Sequence, residues 1–267
     1  MLEFCFSAWH SGFRSRSVHA IIALGVLLVG VAFLSSSFSP RQPATVALDF
    51  GFTGMRFSLV LFGLFLVQDL IGREIERKTV MYALSYPVPR ASYLVGRYLG
   101  VVTLLALAAL VLALLLWMTT FAVDLTYDSG NLMGMGVPFW ATVFGLWVDA
   151  ALVAAFAVWV ASLSTVPMLP VALGAAFAIS GKTLGAVMDY LSRGADNDAE
   201  FVARFTPVIN TVKWLLPDLS RLDWRMWPMY ELNPGLGVIA LGVLMAAAYA
   251  LILLVLAVFT FNRREFS

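Results

Sequence analysis

Six long apolar runs alternate with shorter polar connections along the chain, at about 18–38, 53–71, 98–121, 138–163, 166–187 and 235–261. Each is close to the roughly 20 mostly apolar residues that a helix needs to cross a hydrocarbon core. The pattern therefore predicts an all-α, polytopic membrane protein with six transmembrane helices in one domain, 1–267. The second run is the least clean, because Arg56 and Asp69 sit near its two ends and only 57–68 between them is free of charge. The first run exceeds the usual 7–15 residue core of a signal peptide, and no small-x-small cleavage site follows it. It is expected to be an uncleaved span.

Composition agrees with a bilayer protein. Of the 267 residues, 61% are hydrophobic and 12% charged, about half the charged share of a soluble domain, which excludes a soluble enzyme and a disordered chain alike. The net charge of +1 gives no basic excess for a phosphate backbone, so no nucleic-acid partner is expected. One cysteine, Cys5, and two histidines, His10 and His19, cannot form an internal disulfide or supply the nitrogen and sulfur ligands of a zinc site.

Lys and Arg in short connections set orientation. The connection after the second run carries Arg73, Arg77, Lys78, Arg90 and Arg97, whereas the one after the third carries Asp124 and Asp128 and no base. With Arg14 and Arg16 before the first run and Arg263 and Arg264 after the last, both termini and the basic connection are expected in the cytoplasm. Residues 188–234 then fall outside as an extracytoplasmic segment, whose seven acids outnumber its five bases. Helically spaced Phe201, Phe205, Val208, Ile209 and Val212, followed by Trp214, Trp224 and Trp227, suit a segment lying against the membrane face, as a lid or as an interfacial anchor. Leu2, Phe4, Phe6, Trp9 and Phe13, followed by Arg14 and Arg16, read as an amphipathic helix over 1–17.

The basic connection is the most informative stretch. From Glu74 onward it reads as a helix, with Ile75, Thr79, Tyr82 and Tyr86 on one face and Glu74, Arg77 and Lys78 on others. Pro87 and Pro89 end it in a stiff turn. An ordinary charged loop whose bases anchor the flanking spans is the plainer reading. Glu74, the run Glu76-Arg77-Lys78-Thr79, Leu84-Ser85, Pro87 with Arg90 three residues on, and Gly96 to Gly100 resemble the signature of the ABC type-2 permease superfamily. Asp49-Phe50-Gly51, the stretch from Leu215 to Leu219 with Asp223, and the terminal Phe261 to Phe266 agree with it more weakly. Pro89 stands where that family usually has a small polar residue.

The resemblance implies a fold like that of a type V ABC exporter, with 1–17 as a connecting helix and 74–86 as a cytoplasmic coupling helix docked on a separate ABC ATPase. Glu74, Glu76, Arg77, Lys78, Thr79, Leu84, Ser85, Pro87 and Arg90 would form that interface. It also implies two ATPase copies, which bind ATP and Mg, and a second copy of this chain or a similar permease, in the cytoplasmic (inner) membrane. This chain itself is expected to hold no cofactor or metal and to have no catalytic residue. Gly181-Lys182-Thr183 mimics the end of a P-loop, but the motif's first glycine would fall at Ala176 and no strand precedes it.

Two charges lie inside runs, Asp149 in the fourth and Lys182 in the fifth, each costing roughly 2.5–3.5 kcal/mol at mid-membrane on insertion scales. Antiparallel spans would bring them to similar depth, so they are expected to pair, either as a polar gate on a pathway or as a structural tie. Rival functions are an ion- or proton-coupled secondary transporter using these two residues, and a membrane anchor for an ATPase with a non-transport task. The residues do not disclose a substrate.

Overall fold

A computed structural model of the chain describes residues 7–10, 12, 16–38, 42–76, 89–127, 135–164, 166, 168–192 and 217–263. All regular structure among them is helical. Six long helices correspond to the six apolar runs: α1 (Arg16–Ser37), α2 (Pro43–Val67), α3 (Arg90–Tyr127), α4 (Val137–Leu163), α5 (Leu169–Ser192) and α6 (Leu236–Arg263). Five of the runs are long and apolar enough to cross a membrane, within α1, α2 with its continuation to Gly72, α3, α4 and α6. The fifth run forms a full helix, but its described apolar stretch, Leu169–Gly185, falls short of that length.

Two helices are longer than the hydropathy pattern suggests. Helix α2 begins at Pro43, where a proline in the first turn has no N–H to leave unsatisfied, ten residues before the expected start. Arg56 therefore lies well inside the helix. Helix α3 has 38 residues, about 57 Å at 1.5 Å per residue, so its ends outreach a hydrocarbon core of about 30 Å. Arg90 and Arg97 belong to it.

Helix α4 forms the centre, with 72% of its apolar window buried inside the protein, against 17% in α6 and 28% in α1. The latter two lie at the periphery. Lipid is as apolar as leucine, so helices in a bilayer associate by close packing. Ala150, Ala154, Ala155, Ala157 and Ala161 supply a small-residue surface on α4, all at 2% exposure or less. Gly63 of α2 lies against Ala150 and Ala154, which lets the two central helices approach. Phe156 of α4 stacks on Phe177 of α5 at 4.2 Å between ring centroids.

Residues 217–230 fold back into the bundle. A 3-10 turn (Leu219–Leu222) and a short helix (Met226–Tyr230) bury Leu219, Leu222, Trp224 and Met229. A Cβ at Gly145 of α4 would overlap the Leu222 carbonyl and crowd the Trp224 ring, and one at Gly185 of α5 would overlap Ser220. Trp224 is thus a core residue, 4% exposed, and not the headgroup-level indole that its position in the sequence suggested. At the N-terminus, residues 7–10 are helical and Trp9 Nε1 donates to Thr103 Oγ1 of α3 at 2.8 Å.

Candidate functional site

The buried charges assemble in two places, at opposite ends of the bundle. The larger cluster links α2, α4, α5 and the 217–230 segment. Arg56 Nε donates to Asp149 Oδ2 at 2.6 Å, with side-chain exposures of 18% and 2%. Lys182 Nζ donates to Asp223. Asp223 Oδ1 also accepts from Arg225 Nε at 2.8 Å, and Arg225 Nη1 reaches Asp49 Oδ1 at 3.1 Å and Thr53 Oγ1 at 2.8 Å. Three cations meet three carboxylates, so the cluster is neutral as a whole. Neutrality is what permits Asp149 and its neighbours inside the bundle, since an uncompensated buried ion is far more costly than a paired one, while Asp49 closes the cluster from its half-exposed edge.

Asp149 and Lys182 therefore do not pair with each other, contrary to expectation. The reason lies in two features that a count of span lengths misses. The early start of α2 carries Arg56 to the depth of Asp149, and the folded-back segment delivers Asp223 to Lys182. Lys182 is still near enough for its charge to act on Asp149. Burial alone would raise the Asp223 carboxyl, but hydrogen bonds and charge from Arg225 and Lys182 outweigh it and hold it below the ordinary aspartate range. Gly181, Lys182 and Thr183 lie inside α5. Thr183 donates to the Ile179 and Ser180 carbonyls of its own helix, an arrangement unlike a phosphate-binding loop.

The smaller cluster sits just beyond the C-terminal end of α2. Helix α2 passes into a π-helical turn, Gln68–Gly72, and then a short helix, Arg73–Glu76. The Gln68 side chain folds over Gly72, where a Cβ would lie 2.6 Å from its Oε1. Such π-turns recur at functional sites. Just beyond it, Glu74 is held by Arg97 of α3 and accepts from Tyr93 Oη at 2.6 Å. Arg97 and Tyr93 are buried, at 5% and 1% exposure. Tyr93 in turn stacks on Phe261 of α6, 5.9 Å between centroids, and Arg90 Nη1 donates to the Asn262 carbonyl at 3.3 Å.

Of the expected interface residues, Glu74 thus faces α3, and Arg90 lies exposed beside the end of α6. Glu76 is placed as the last residue of its helix. Arg77, Lys78, Thr79, Leu84, Ser85 and Pro87 lie outside the described residues, as do most of 1–17 and of 188–234. Arg56, Arg97, Tyr93 and Arg225 were not singled out from the sequence as site residues, although Arg56 inside an apolar run was a visible signal. Among the described residues no group of three or more His, Cys, Asp or Glu side chains is arranged to hold a metal.

A family model described as ABC-2 family transporter protein matches residues 9–266. The chain belongs to that family. This ABC-2 protein is also similar to two proteins named probable ABC transporter permease protein NosY. The one from Stutzerimonas stutzeri is 37% identical over 106 residues, and the one from Pseudomonas aeruginosa 36% over 107. Each match spans 38% of this chain and 38% of the relative's length. An ABC-2 membrane subunit is what the apolar helices and the family together describe. The Glu74 cluster then occupies the base of the segment that the family resemblance reads as the coupling helix.

Proposed function

We propose that this chain is the permease subunit of an ATP-driven exporter, coupling hydrolysis by a separate ATPase to movement of a substrate across the membrane. The observation that carries the reading is the family match over nearly the whole chain. In this reading all six long helices span, both termini and 74–86 are cytoplasmic, and two chains assemble with two ATPase subunits in the inner membrane. ATP and Mg are bound by the ATPase.

Physical details of the chain support a mechanical role. A push on 74–86 would reach the bundle through Glu74. Its ion pair with Arg97 and hydrogen bond with Tyr93 tie the outgoing end of α2 to the incoming end of α3. Charged residues from Glu76 to Lys78 suit an interface that forms and loosens, and Pro87 and Pro89 stiffen the return into α3. Two helices moved together by one lever is a recognised route from a local contact to a domain rearrangement.

The test is co-expression with an ABC ATPase subunit, purification in mild detergent and mass measurement of the complex. Two permease chains with two ATPases are expected, together with ATP-dependent transport after reconstitution. A monomer that captures no ATPase under conditions that preserve known exporters would defeat the proposal.

A further inference from the structure

A cavity of about 340 Å³ lies between α2 and α5, beside the larger charge cluster. That volume falls within the range of roughly 300–1,000 Å³ typical of small-molecule sites. One end is lined by Arg56, Lys182 and Arg225. Apart from Thr53, the rest of the wall is apolar, built from residues such as Phe57, Val60, Leu61 and Ala175. Phe57 and Ile179, at 55% and 65% exposure, mark its open side on the outer surface of two apolar helices.

The charge distribution gives this cavity a sign. The six-residue cluster is neutral, but its two halves are not equally presented. The three cations line the cavity, and none of the three carboxylates does. Asp149 is buried behind Arg56 at 2% exposure, Asp223 is mostly buried, and Asp49, half exposed, is held by Arg225 without itself lining the cavity. The cavity thus offers cationic donors at one end of an apolar slot.

We propose that this cavity binds an acidic phospholipid, with the anionic headgroup at Arg56, Lys182 and Arg225 and acyl chain along the α2–α5 wall. A small soluble anion would match the cations but leave the apolar wall unused. A zwitterionic lipid would bring its own ammonium toward three positive groups. Basic pockets between membrane helices on the cytoplasmic side favour anionic headgroups, and the same charge chemistry would act at this cavity. The inference concerns binding alone and holds whether or not the chain is coupled to an ATPase.

The experiment uses the purified full chain in a neutral detergent, titrated separately with dihexanoyl phosphatidylglycerol, dihexanoyl phosphatidylcholine and inorganic phosphate. Thermal stabilisation and native mass spectrometry are the readouts. The acidic lipid should bind about tenfold or more tightly than the zwitterionic one, as expected when several cations face one headgroup, and phosphate should stabilise far less. Lys182→Gln should abolish most of that preference. Because Lys182 also holds Asp223, a second variant keeps the charges intact: Ala175→Phe fills the apolar wall and should remove binding of the acidic lipid. Equal binding of both lipids would overturn the proposal, as would stabilisation by phosphate equal to that by the acidic lipid, or unchanged binding in Ala175→Phe. So would a disulfide between Ile179→Cys protomers in a Cys5→Ala background with no lipid effect, which would make a second copy of the chain the occupant.

Discussion

Both charge clusters rest on an arginine gripping a carboxylate, Arg56 with Asp149 in one and Arg97 with Glu74 in the other, yet they tie together different parts of the bundle. Around Asp149 and Asp223, six charges tie α2, α4, α5 and the folded-back segment into a neutral knot with an open cavity on its cationic side. Around Glu74, one carboxylate just beyond the end of α2 is gripped by Arg97 and Tyr93, which carry the contact into α3 and, through Phe261, to α6. The first cluster holds helices in register at depth. The second joins the end of α2 to α3 and α6. The difference teaches that a charge inside a membrane protein takes its role from what it ties together: four elements around a cavity in one case, the ends of three helices in the other.

The largest effects should come from breaking the buried knot. Asp149→Ala leaves the Arg56 guanidinium without its ionic partner, and removing one member of a buried pair costs about 3–5 kcal/mol. Yield of folded protein in detergent should collapse accordingly. Arg56→Met added to Asp149→Asn should recover a large part of the loss, and more than Lys182→Met added to Asp149→Asn, because the direct partner is Arg56. Equal recovery by the two double variants would mean that the cluster acts as one diffuse field.

Glu74→Gln should be milder for stability and harsher for coupling. A hydrogen bond to a charged group contributes about 1.5–3 kcal/mol, and Gln retains an acceptor for Tyr93. ATP hydrolysis by the reconstituted complex should fall severalfold while ATPase capture is kept, a pattern that a purely structural residue would not give. Loss of both in proportion to stability would assign Glu74 to the holding class together with Asp149.

The sign of one titration separates the clusters further. The folded-state Asp223 carboxyl lies below its ordinary value of 3.8, so the folded state favours the ionised form. Its contribution to stability is complete above the unfolded value and is lost as pH falls through about 4 toward the lower folded value. Asp223→Asn should remove that acid-limb loss while lowering stability at neutral pH, measured as thermal unfolding in detergent from pH 7 to pH 3. The smallest effect is expected at Thr142→Val. The hydroxyl, which donates to the Pro138 carbonyl at 2.9 Å and the Trp224 carbonyl at 3.2 Å, is worth about 1 kcal/mol in such a position.

The helices were legible because the hydrocarbon core imposes a length on apolar runs, and each run is a helix. Their ends were less so. Residues 43–52 are apolar enough to be helical yet carry Asp49, and hydropathy discounts that stretch although its carboxylate is answered by Arg225. Arg97 read as a loop base for the same reason, since a charge beside an apolar run cannot reveal from sequence that Glu74 will neutralise it. Asp149 and Lys182 do fall within one cluster, but pairing depends on rotation about each helix axis and on a segment arriving from 41 residues away. Neither leaves a periodic signal. Trp224 failed in the same way, because the absence of a Cβ at Gly145 makes room for it and that complementarity is visible only in three dimensions.

The most direct test of the coupling reading compares the two ends of the bundle by crosslinking. Lys78→Cys and Asp128→Cys, each in a Cys5→Ala background and each carrying a photoreactive maleimide, would be illuminated in the complex purified with its ATPase. Lys78→Cys should give an adduct with the mass of permease plus ATPase, and Asp128→Cys none. An adduct from Asp128→Cys, or none from Lys78→Cys in a complex that still contains the ATPase, would contradict docking through 74–86.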